Sequence, residues 1–390
     1  MKSLSKIYRK LFQTDTLGIN EKIVSLSPNG PVRGNVLLSY ILEPFLRKEG
    51  ESISDDHTHY WESFQIAKSF LDKGFAVDVI NYENQKFTPS KKYNYFISAR
   101  TNLERIAKRL NDDCIIIAHL DTAHWLYNNT TAYQRLYALQ QRRGITIKNS
   151  IRIVEPNLAI EFSDLATILG NQFTIGTYSY ANKPIYRIPI SSPSLYQWNE
   201  NKDFDKNRYN YIWFGSSGFV HKGLDLVLEA FSQMPNYLLF VCGPLDREKD
   251  FLKAYHKELY EMPNIKTLGW VDVNSSEFIG IADKCIGLVY PSCAEGGGGS
   301  AITCMHAGLI PILSYEASVD IGDCGILLNE SSIEEIKQAI MSLSSLSATT
   351  LKDKSKKTWE TAVKRHTREI FAKEYEYFLS KKLLPYRKEA

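Results

Sequence analysis

The stretch YPSCAEGGGGSAITCMHAGLIPI, residues 290–312, decides the fold and indicates the kind of site that the fold carries. An apolar run is followed by Glu295 and four glycines, which lead into a short helical segment and then into an apolar strand from Leu309. Glycine has no Cβ, so its backbone N–H group can approach a ligand closely. A helix that begins there presents unpartnered amides at the positive end of its dipole, which favours an anion.

The charge of Glu295 limits the kinds of ligand group that it can contact. A carboxylate beside a phosphate would be repelled by it, so we expect Glu295 to face hydroxyl groups, such as those of a sugar. The residues predicted to bind the ligand through this loop are Gly296, Gly297, Gly298, Gly299 and Ser300. The alternative is that the glycines only let the strand and the helix pack closely. One glycine would suffice for that purpose, so we favour the ligand site.

The composition limits the class of protein. A chain of 390 residues exceeds what one hydrophobic core usually organises, so two domains are expected. A net charge of +3 gives no support for a nucleic-acid binder, which would show a strong basic excess. The six cysteines form no CxxC pair, which favours buried reduced thiols and a cytoplasmic protein.

The N-terminal segment MKSLSKIYRKLF leaves alternatives open. It lacks the apolar core of a secretion signal, and no run of about 18 apolar residues predicts a membrane-spanning helix. Leu4, Ile7, Leu11 and Phe12 lie near helical spacing with basic residues between them. This pattern would suit a peripheral helix on a membrane surface, a helix docked on its own domain or a frayed basic terminus.

Short apolar runs alternate with amphipathic segments along most of the chain. Apolar runs without polar alternation, separated by helices, are typical of parallel sheets covered on both faces. The predicted strands are 35–42, 75–80, 93–98, 114–119, 209–215, 237–243, 264–270, 285–292 and 309–314. The predicted helices are 60–74, 102–110, 132–144, 222–234, 249–260, 275–283, 300–307, 332–343 and 351–384.

One polar, turn-rich segment interrupts this alternation. Residues 191–208, SSPSLYQWNENKDFDKNR, are predicted to link two Rossmann-like units. The predicted division is an N-terminal domain over residues 1–190, a C-terminal domain over residues 209–350 and a helical segment over residues 351–390. Ligands of such α/β units bind outside the carboxyl ends of the strands, here facing the cleft between the domains.

Further loops of the second half also follow predicted strands. The loop FGSSGFVHKG contains Gly215, Ser216 and Ser217 and ends with Lys222 at a helix start. Amides and hydroxyls that donate, together with an ammonium group, suit a diphosphate. The segment LGWV ends at Val271, whose backbone could pair with the edge of a base, although a plain turn explains it equally well.

The order of these motifs resembles a known family. Over residues 211–343 the chain has KG opening a helix, a CGP turn, NIxxLGWV, VYPSxxEG, CMHAGxxPI and CGILL. This series resembles the retaining glycosyltransferases of group 1, or family 4. The resemblance implies a GT-B fold of class α/β, with two Rossmann-like domains facing a central cleft and a C-terminal helix that returns to the N-terminal domain. The first half resembles the family only in its layout and in residues 59–80.

The resemblance assigns roles in the donor site, and the chain departs from the family at two of them. Glu295 matches the first acid of the family's E-x7-E motif, near the transferred sugar, whereas Thr303 replaces the second acid, which binds the ribose. Lys222 matches the lysine of the diphosphate-binding pair, whereas Ser216 stands where the family has arginine. The Thr303 hydroxyl can make one hydrogen bond to a ribose hydroxyl. Unlike a carboxylate, it has no negative charge and no second oxygen with which to accept from two ribose hydroxyls at once.

The resemblance also predicts a polar residue of the N-terminal domain near the anomeric carbon. His124 and His119 are the candidates, and a structural role is the alternative for each. Trp125 could stack on a sugar face, and His59 and Trp61 are predicted to contact the acceptor. Two nearby histidines do not define a metal site, so no metal and no cofactor beyond the nucleotide-sugar co-substrate are expected.

The resulting hypothesis is a cytoplasmic glycosyltransferase that moves a sugar from a nucleotide-diphosphate sugar to an acceptor hydroxyl with retention. Members of the family build surface polysaccharide, lipopolysaccharide or glycolipid, which implies a glycan or lipid-linked acceptor. Two alternatives stay open. One is an inactive GT-B binding or scaffold protein, which the residues at positions 216 and 303 would suit, and the other is a nucleotide-sugar epimerase.

Overall fold

The computed structural model describes residues 9–12, 18–48, 50–148 and 152–388. Among these residues, one sheet has eight strands in the order β1-β2-β4-β3-β5-β6-β7-β8 and a second has six in the order β11-β10-β9-β12-β13-β14. The strands pair in parallel except at β1–β2 and β2–β4. Helices cover both sheets, so the predicted class, α/β with two Rossmann-like domains, is confirmed.

The N-terminal sheet and its helices occupy the first half of the chain. Its elements are β1 (Arg9–Phe12), β2 (Ile23–Leu26), β3 (Gly34–Tyr40), α1 (Thr58–Asp72), β4 (Phe75–Asn81), β5 (Tyr95–Ser98), α2 (Leu103–Ala107), β6 (Ile115–Leu120), α3 (Trp125–Arg143), β7 (Leu165–Ile168), α4 (Gln172–Thr177) and β8 (Ile185–Arg187). Every residue of β5, β6 and β7 is buried, as expected for central strands covered on both faces.

The C-terminal sheet follows after a short connecting helix. Its elements are α5 (Phe204–Asn207), β9 (Asn210–Phe214), α6 (Leu224–Ser232), β10 (Leu238–Cys242), α7 (Lys249–Ala254), α8 (His256–Tyr260), β11 (Ile265–Gly269), α9 (Ser276–Asp283), β12 (Gly287–Tyr290), α10 (Gly299–His306), β13 (Ile310–Ser314), β14 (Ile326–Leu328), α11 (Ile333–Ser344), α12 (Ala348–Arg365) and α13 (Arg368–Phe378).

The strand order places the carboxyl ends of particular strands at the cleft. In the second sheet the order reverses between β9 and β12, and in the first sheet it reverses between β3 and β5. A crevice opens where strand order reverses, because the connections leave towards opposite faces of the sheet. The loops after β9 and β12 carry Lys222 and Glu295, and the loop after β6 carries Asp121.

Several sequence predictions differ from the structure. The N-terminal amphipathic pattern does not form one helix, because Arg9–Phe12 are the edge strand β1, while Leu4 and Ile7 lie outside the described residues. The predicted helix 249–260 divides into α7 and α8 at Tyr255. Strands β7 and β8 were not predicted from the sequence. None of the helices in the described ranges combines the length and the apolar character needed to span a bilayer.

The long helix predicted over residues 351–384 is two helices that break at His366. The break is where the chain returns from the second sheet to the first. The His366 ring bonds the Ile190 carbonyl oxygen at 3.0 Å, and the Ser192 amide donates to the His366 carbonyl oxygen at 3.0 Å. The outgoing and the returning chain are therefore held together at one point.

After this crossing, α13 packs on α1 of the N-terminal domain. The Phe371 ring meets the Trp61 ring edge-on at a centroid distance of 5.8 Å, and Lys73 forms an ion pair with Glu376 at 2.5 Å. The predicted return of the C-terminal helix to the N-terminal domain is thus observed.

The two domains are also joined by ion pairs along α3. Arg142 donates to Asp225 of α6 at 2.6 Å, and Arg143 donates to Glu258 of α8 at 2.6 Å. Burial raises the pKa of Asp225 to about 6, and the Arg142 guanidinium opposes this rise. The charged end of α3 therefore closes one side of the interface between the domains.

Replacement of Phe371 tests the docking of α13. Phe371 is fully buried, so Phe371→Ala should lower the free energy of unfolding by about 3–5 kcal/mol. Tyr377 lies on the same helix and is 54% exposed, so Tyr377→Ala should change it by less than about 0.5 kcal/mol. Denaturant titration of both variants measures the difference, and equal effects would show that α13 does not pack on α1 in solution.

Candidate active site in the cleft between the domains

A cleft lies between the two sheets and encloses about 1100 Å³ of space, part of which is open to solvent. Both domains contribute, because α1, the β6 loop and Arg152 face the loops that follow β9, β10, β11 and β12. Its polar lining residues are Asp55, Asp56, His57, Thr58, His59, Asp121, Arg152, Ser216, Lys222, Asp272, Tyr290, Glu295, Ser300 and Thr303. Most residues predicted to bind the donor are therefore brought together.

Glu295 is the centre of the polar network. Its Oε1 accepts hydrogen bonds from the hydroxyls of Tyr290 and Ser292 at 2.8 and 2.9 Å, and from Lys222 Nζ at 3.1 Å. Its Oε2 accepts from Arg152 Nη1 at 2.9 Å. The side chains of Glu295 and Lys222 are 8% and 3% exposed, so these charges meet away from bulk water.

The electrostatics of this cluster keep the carboxyl group ionised. Burial alone would raise the pKa of Glu295, but the positive charges of Lys222 and Arg152 hold it well below its usual range. Burial lowers the pKa of Lys222 to about 8; Arg152 adds to this effect and Glu295 opposes it. An anionic Glu295 can accept hydrogen bonds from sugar hydroxyls, and a protonated Lys222 can bind a phosphate.

The backbone around Gly223 positions Lys222. Gly223 has φ +71° and is the residue before α6, and a Cβ there would lie 2.6 Å from the Pro291 carbonyl oxygen. The loop after β9 thus rests on the end of β12. The Trp213 indole N–H donates to the Lys222 carbonyl oxygen at 3.3 Å, which fixes the lysine from behind.

The loop between Gly215 and Lys222 offers fewer amides than the sequence suggests. The amide of Gly218 donates to Glu248 Oε1, and that of Phe219 donates to Glu248 Oε2 at 3.2 Å. Ser216 is exposed and lines the cleft, whereas Ser217 does not line it. Lys222 is therefore the main group of this loop that remains available to the predicted diphosphate.

Three of the four glycines approach other parts of the protein. A Cβ on Gly296 would lie 2.0 Å from the Asp121 carbonyl oxygen of the N-terminal domain. A Cβ on Gly298, where φ is +61°, would lie 2.5 Å from the Ala317 carbonyl oxygen, and one on Gly297 would lie 3.1 Å from Ile190. Only ordinary contacts surround Gly299. Close packing, the alternative interpretation, therefore explains much of the glycine run.

The start of α10 and the loop after β11 also face the cleft. Gly299 and Ser300 form the first turn of α10 and line the cleft, and Thr303 Oγ1 donates to the Gly299 carbonyl oxygen at 3.0 Å. This bond leaves the lone pairs of the Thr303 hydroxyl as acceptors. Val271 lines the cleft as predicted, next to Trp270, which is 55% exposed.

The predicted acceptor residues on α1 differ in position. His59 lines the cleft, and its Nδ1 bonds Glu62 at 2.7 Å, while Glu62 Oε1 accepts from the Ser191 amide at 2.8 Å. Trp61 points instead to α13, where Arg368 lies over its ring at 5.4 Å. Trp61 therefore has a packing role, and the structure does not bring it to the cleft.

The two candidate histidines of the N-terminal domain do not line the cleft either. His124 precedes α3, where its Nδ1 accepts from the Leu126 amide at 3.3 Å and its Nε2 bonds the Tyr180 hydroxyl at 3.0 Å. Both of its ring nitrogens are therefore engaged in a helix cap and a side-chain contact. Trp125 is the first residue of α3 and lies beside His124, also outside the cleft lining.

His119 is buried below the cleft floor. Its Nδ1 bonds the Thr167 hydroxyl at 2.8 Å, its ring lies 5.2 Å from the Tyr40 ring, and burial lowers its pKa to about 4. Two residues later, Asp121 reaches the cleft. Arg100 donates to it at 2.8 Å and outweighs the effect of burial, so that the pKa of Asp121 falls to about 2.

Sequence reasoning missed Arg152, Asp121 and Trp270. Asp121 follows a predicted strand, and this position alone could have identified it as a cleft residue. Arg152 lies in a segment without periodicity, where no sequence signal shows which side chain crosses to the other domain. In the ranges 9–12, 18–48, 50–148 and 152–388, no three His, Cys, Asp or Glu side chains form a group that could hold a metal ion.

Comparisons with known proteins agree with this architecture. Residues 197–365 match the family model of glycosyl transferases group 1. Sucrose-phosphate synthase from Thermosynechococcus elongatus superposes with a TM-score of 0.62 at 13% identity, over 89% of this chain and 98% of that one. HepE from Anabaena, solved in complex with UDP and glucose, superposes with a TM-score of 0.56 at 14% identity, over 89% of this chain and 99% of that one.

A third similar structure is an E. coli protein described as trehalose-6-phosphate bound with UDP-2-fluoro glucose, with a TM-score of 0.59 at 10% identity, over 91% of this chain and 100% of that one. A search of curated protein sequences found no significant match. At such low identities the structures show the fold alone, which is GT-B, and the match to the group 1 family model covers residues 197–365, less than half of the chain.

The contact between Gly296 and Asp121 can be tested with a control from the same glycine run. Gly296→Ala places a methyl group against the backbone of the other domain, so it should destabilise the closed arrangement by about 1–3 kcal/mol. Gly299→Ala meets only ordinary contacts in the first turn of a helix and should be neutral or stabilising, by up to about 1 kcal/mol. Thermal unfolding measures both effects, and X-ray scattering reports any opening. Identical behaviour of the variants would contradict the observed interdomain contact.

Proposed function

We propose that this protein is a glycosyltransferase of the group 1 type, which moves a sugar from a nucleotide-diphosphate sugar to an acceptor hydroxyl with retention of configuration at the anomeric carbon. The observation that carries this proposal is the buried ion pair of Lys222 and Glu295, which faces the cleft beside the first turn of α10. An ammonium group, a helix start and a carboxylate together suit a ligand that has both phosphates and hydroxyls.

The donor fits this cleft in one direction. The diphosphate lies between Lys222 and the amides of Gly299 and Ser300, where the positive end of the α10 dipole favours it. The sugar hydroxyls donate to Glu295. The nucleoside extends towards the backbone of Val271, where the exposed ring of Trp270 offers a stacking surface. HepE, which has a similar fold, was solved in complex with UDP and glucose, and this supports a nucleotide sugar as the ligand.

Electrostatic stabilisation is the main chemical contribution that these residues can make. When the bond between the sugar and the diphosphate breaks, its electron pair remains on the diphosphate oxygen, while the acceptor oxygen forms the new bond to the anomeric carbon and its proton passes to that diphosphate oxygen. Lys222 and the α10 amides already face this position, so they stabilise the developing charge without reorganisation. The surrounding protein restricts water and aligns the acceptor, which enters from the side of His57, Thr58 and Asp121. No metal or other cofactor is required in this proposal.

The proposed setting is the synthesis of surface polysaccharide, lipopolysaccharide or glycolipid by a cytoplasmic protein, with a glycan or a lipid-linked acceptor. A lipid-linked acceptor would bring the protein to the membrane surface, where the basic N-terminal segment could contribute contact. This setting extends the reaction proposed above and is separable from it, because the donor site needs no membrane.

A binding-only protein is the second candidate. Three observations favour it: Thr303 replaces an acid, Ser216 offers no charge, and Glu248 already occupies two loop amides. Such a protein would bind the nucleotide sugar but would release no nucleoside diphosphate. An epimerase would interconvert two nucleotide sugars without any acceptor.

Thermal unfolding with UDP, GDP, ADP, dTDP and CMP, added singly in the presence of EDTA, tests the donor site. A ligand at about 100 times its Kd adds about 2.7 kcal/mol of stability, so one nucleotide should raise the Tm clearly. The shift should be lost in Lys222→Met. Lys202→Met is the matched control, because burial also lowers the pKa of Lys202 to about 8, whereas its Nζ donates to the Ala282 carbonyl oxygen away from the cleft.

The same preparation is then incubated with the nucleotide sugar of the selected base. Release of nucleoside diphosphate with sugar transfer to an acceptor or to water supports the transferase. Binding without release supports the binding-only protein, and interconversion of donors supports an epimerase. Absence of a Tm shift with every nucleotide would contradict the proposed donor site.

The pKa of Lys222 predicts how nucleotide affinity depends on pH. The ammonium form binds the diphosphate, and its free pKa is about 8, so affinity should be constant from about pH 7, where the terminal phosphate is ionised, to about pH 8. Above this value, binding must take up a proton, and affinity should fall towards tenfold per pH unit. Lys222→Arg keeps its charge at every pH tested, so its affinity should not fall in the same range. Titration calorimetry of both proteins checks this, and parallel pH profiles would exclude Lys222 as the titrating group.

A further inference from the structure

A donor site formed by Lys222, Ser216 and the start of α10 has too little positive charge for its ligand. A nucleoside diphosphate carries two or three negative charges, whereas Lys222 supplies one positive charge and is paired with Glu295. The amides of Gly218 and Phe219 are occupied by Glu248, and Ser216 provides only a hydroxyl. A second cation is therefore needed at this end of the cleft.

Among the described residues that line the cleft, Lys222 and Arg152 are the lysine and arginine side chains. Arg152 belongs to the N-terminal domain and lies between α3 and β7. Its position is fixed from α3, because Asn128 Nδ2 donates to the Arg152 carbonyl oxygen at 3.0 Å. Asn129, also on α3, makes two hydrogen bonds to the backbone of Val154, two residues after Arg152. Its Nδ2 donates to the Val154 carbonyl oxygen at 2.8 Å, and its Oδ1 accepts from the Val154 amide at 2.9 Å.

From this anchor the side chain reaches the C-terminal domain. A Cβ on Gly218 would lie 3.2 Å from Arg152 Cβ, so the arginine rests on the same loop that carries Ser216. Its guanidinium then meets Glu295 Oε2 at 2.9 Å. This contact uses one of the five N–H donors of the guanidinium.

Arg152 also differs from Lys222 in two ways: its side chain is more exposed, and Glu295 keeps other hydrogen-bond donors without it. The Arg152 side chain is 37% exposed and the Lys222 side chain 3%. Glu295 would keep three donors on its other oxygen if Arg152 moved away, namely Lys222, Tyr290 and Ser292. The guanidinium can therefore transfer to an incoming phosphate without leaving the buried carboxylate unpaired.

We propose that Arg152 is the second cation of the diphosphate site, supplied across the cleft by the N-terminal domain. This inference rests on the proposed glycosyltransferase function and identifies a donor-binding residue for it. A guanidinium binds phosphate oxygens in pairs, which a lysine cannot do. Because Lys222 and Arg152 belong to different domains, the diphosphate holds both domains together, and donor binding is linked to closure.

The test compares Arg152→Met with Arg135→Met. Arg135 is a matched control, because it also crosses from the N-terminal domain and donates to the Pro291 carbonyl oxygen at 2.9 Å, but it does not line this cleft. The ligands are the nucleoside diphosphate that stabilises the wild type and the corresponding monophosphate. Titration calorimetry should show a diphosphate Kd raised by about 10- to 100-fold in Arg152→Met and nearly unchanged in Arg135→Met.

Two further readouts distinguish a phosphate-binding role from a structural one. The substitution Arg152→Met should weaken binding of the monophosphate less than binding of the diphosphate. The reason is that the monophosphate has less negative charge and one phosphate fewer for the guanidinium to bind. Ser216→Arg should restore at least about tenfold of the lost affinity in the Arg152→Met background, since position 216 lies on the same loop and faces the cleft.

The outcomes separate this inference from the proposed function. If the wild type binds a nucleoside diphosphate and Arg152→Met binds it equally well, the inference is overturned and the proposed function stands. If Arg135→Met weakens the diphosphate as much as Arg152→Met does, the effect belongs to the domain interface and the inference is also overturned. A wild type that binds no nucleoside diphosphate would overturn both.

Discussion

The buried carboxylate of Glu295 is the constraint on which the site depends. Leaving a buried charge without a partner costs about 3–5 kcal/mol, so Glu295 must keep a cation and hydrogen-bond donors around it. Lys222 comes from the loop after β9, and Tyr290 and Ser292 come from the end of β12, so these two strand ends are fixed relative to one another. Arg152 of the other domain contacts the second oxygen of the same carboxylate, which is not left unpaired if this contact is exchanged.

The glycine run makes this geometry possible by a different physical route. Gly296 lets the backbone after β12 meet the backbone after β6 at a distance that no side chain would permit. Gly298 has the left-handed conformation that starts α10 beneath the cleft. The same residues that allow domain contact therefore present the start of α10 to the ligand, so the packing and ligand interpretations of the run are compatible.

Much of the fold could be predicted from the sequence, because central parallel strands are continuous apolar runs, as in β6 and β12. Strand β8 has only three residues and none of them is buried, so it lacked the apolar run that such reasoning needs. The positions of Lys222, Glu295 and Thr303 at the cleft could be predicted because motif spacing places them at strand and helix ends. The position of His124 outside the cleft could not, because a ring nitrogen that caps a helix has no signature in sequence. Arg152 was missed because its role depends on where a nonperiodic loop crosses between domains.

The junction at His366 has a consequence for how the protein is made. The N-terminal domain is completed by α13, yet Trp61 and Phe371, which pack together, are separated by 310 positions in the chain (371 minus 61). At a synthesis rate of about 5–20 residues per second, the α1 surface that Phe371 covers waits about 15–60 s for its partner. During translation this apolar face stays exposed while the whole C-terminal domain is made. The N-terminal domain is therefore the part of the nascent chain that is most prone to aggregate.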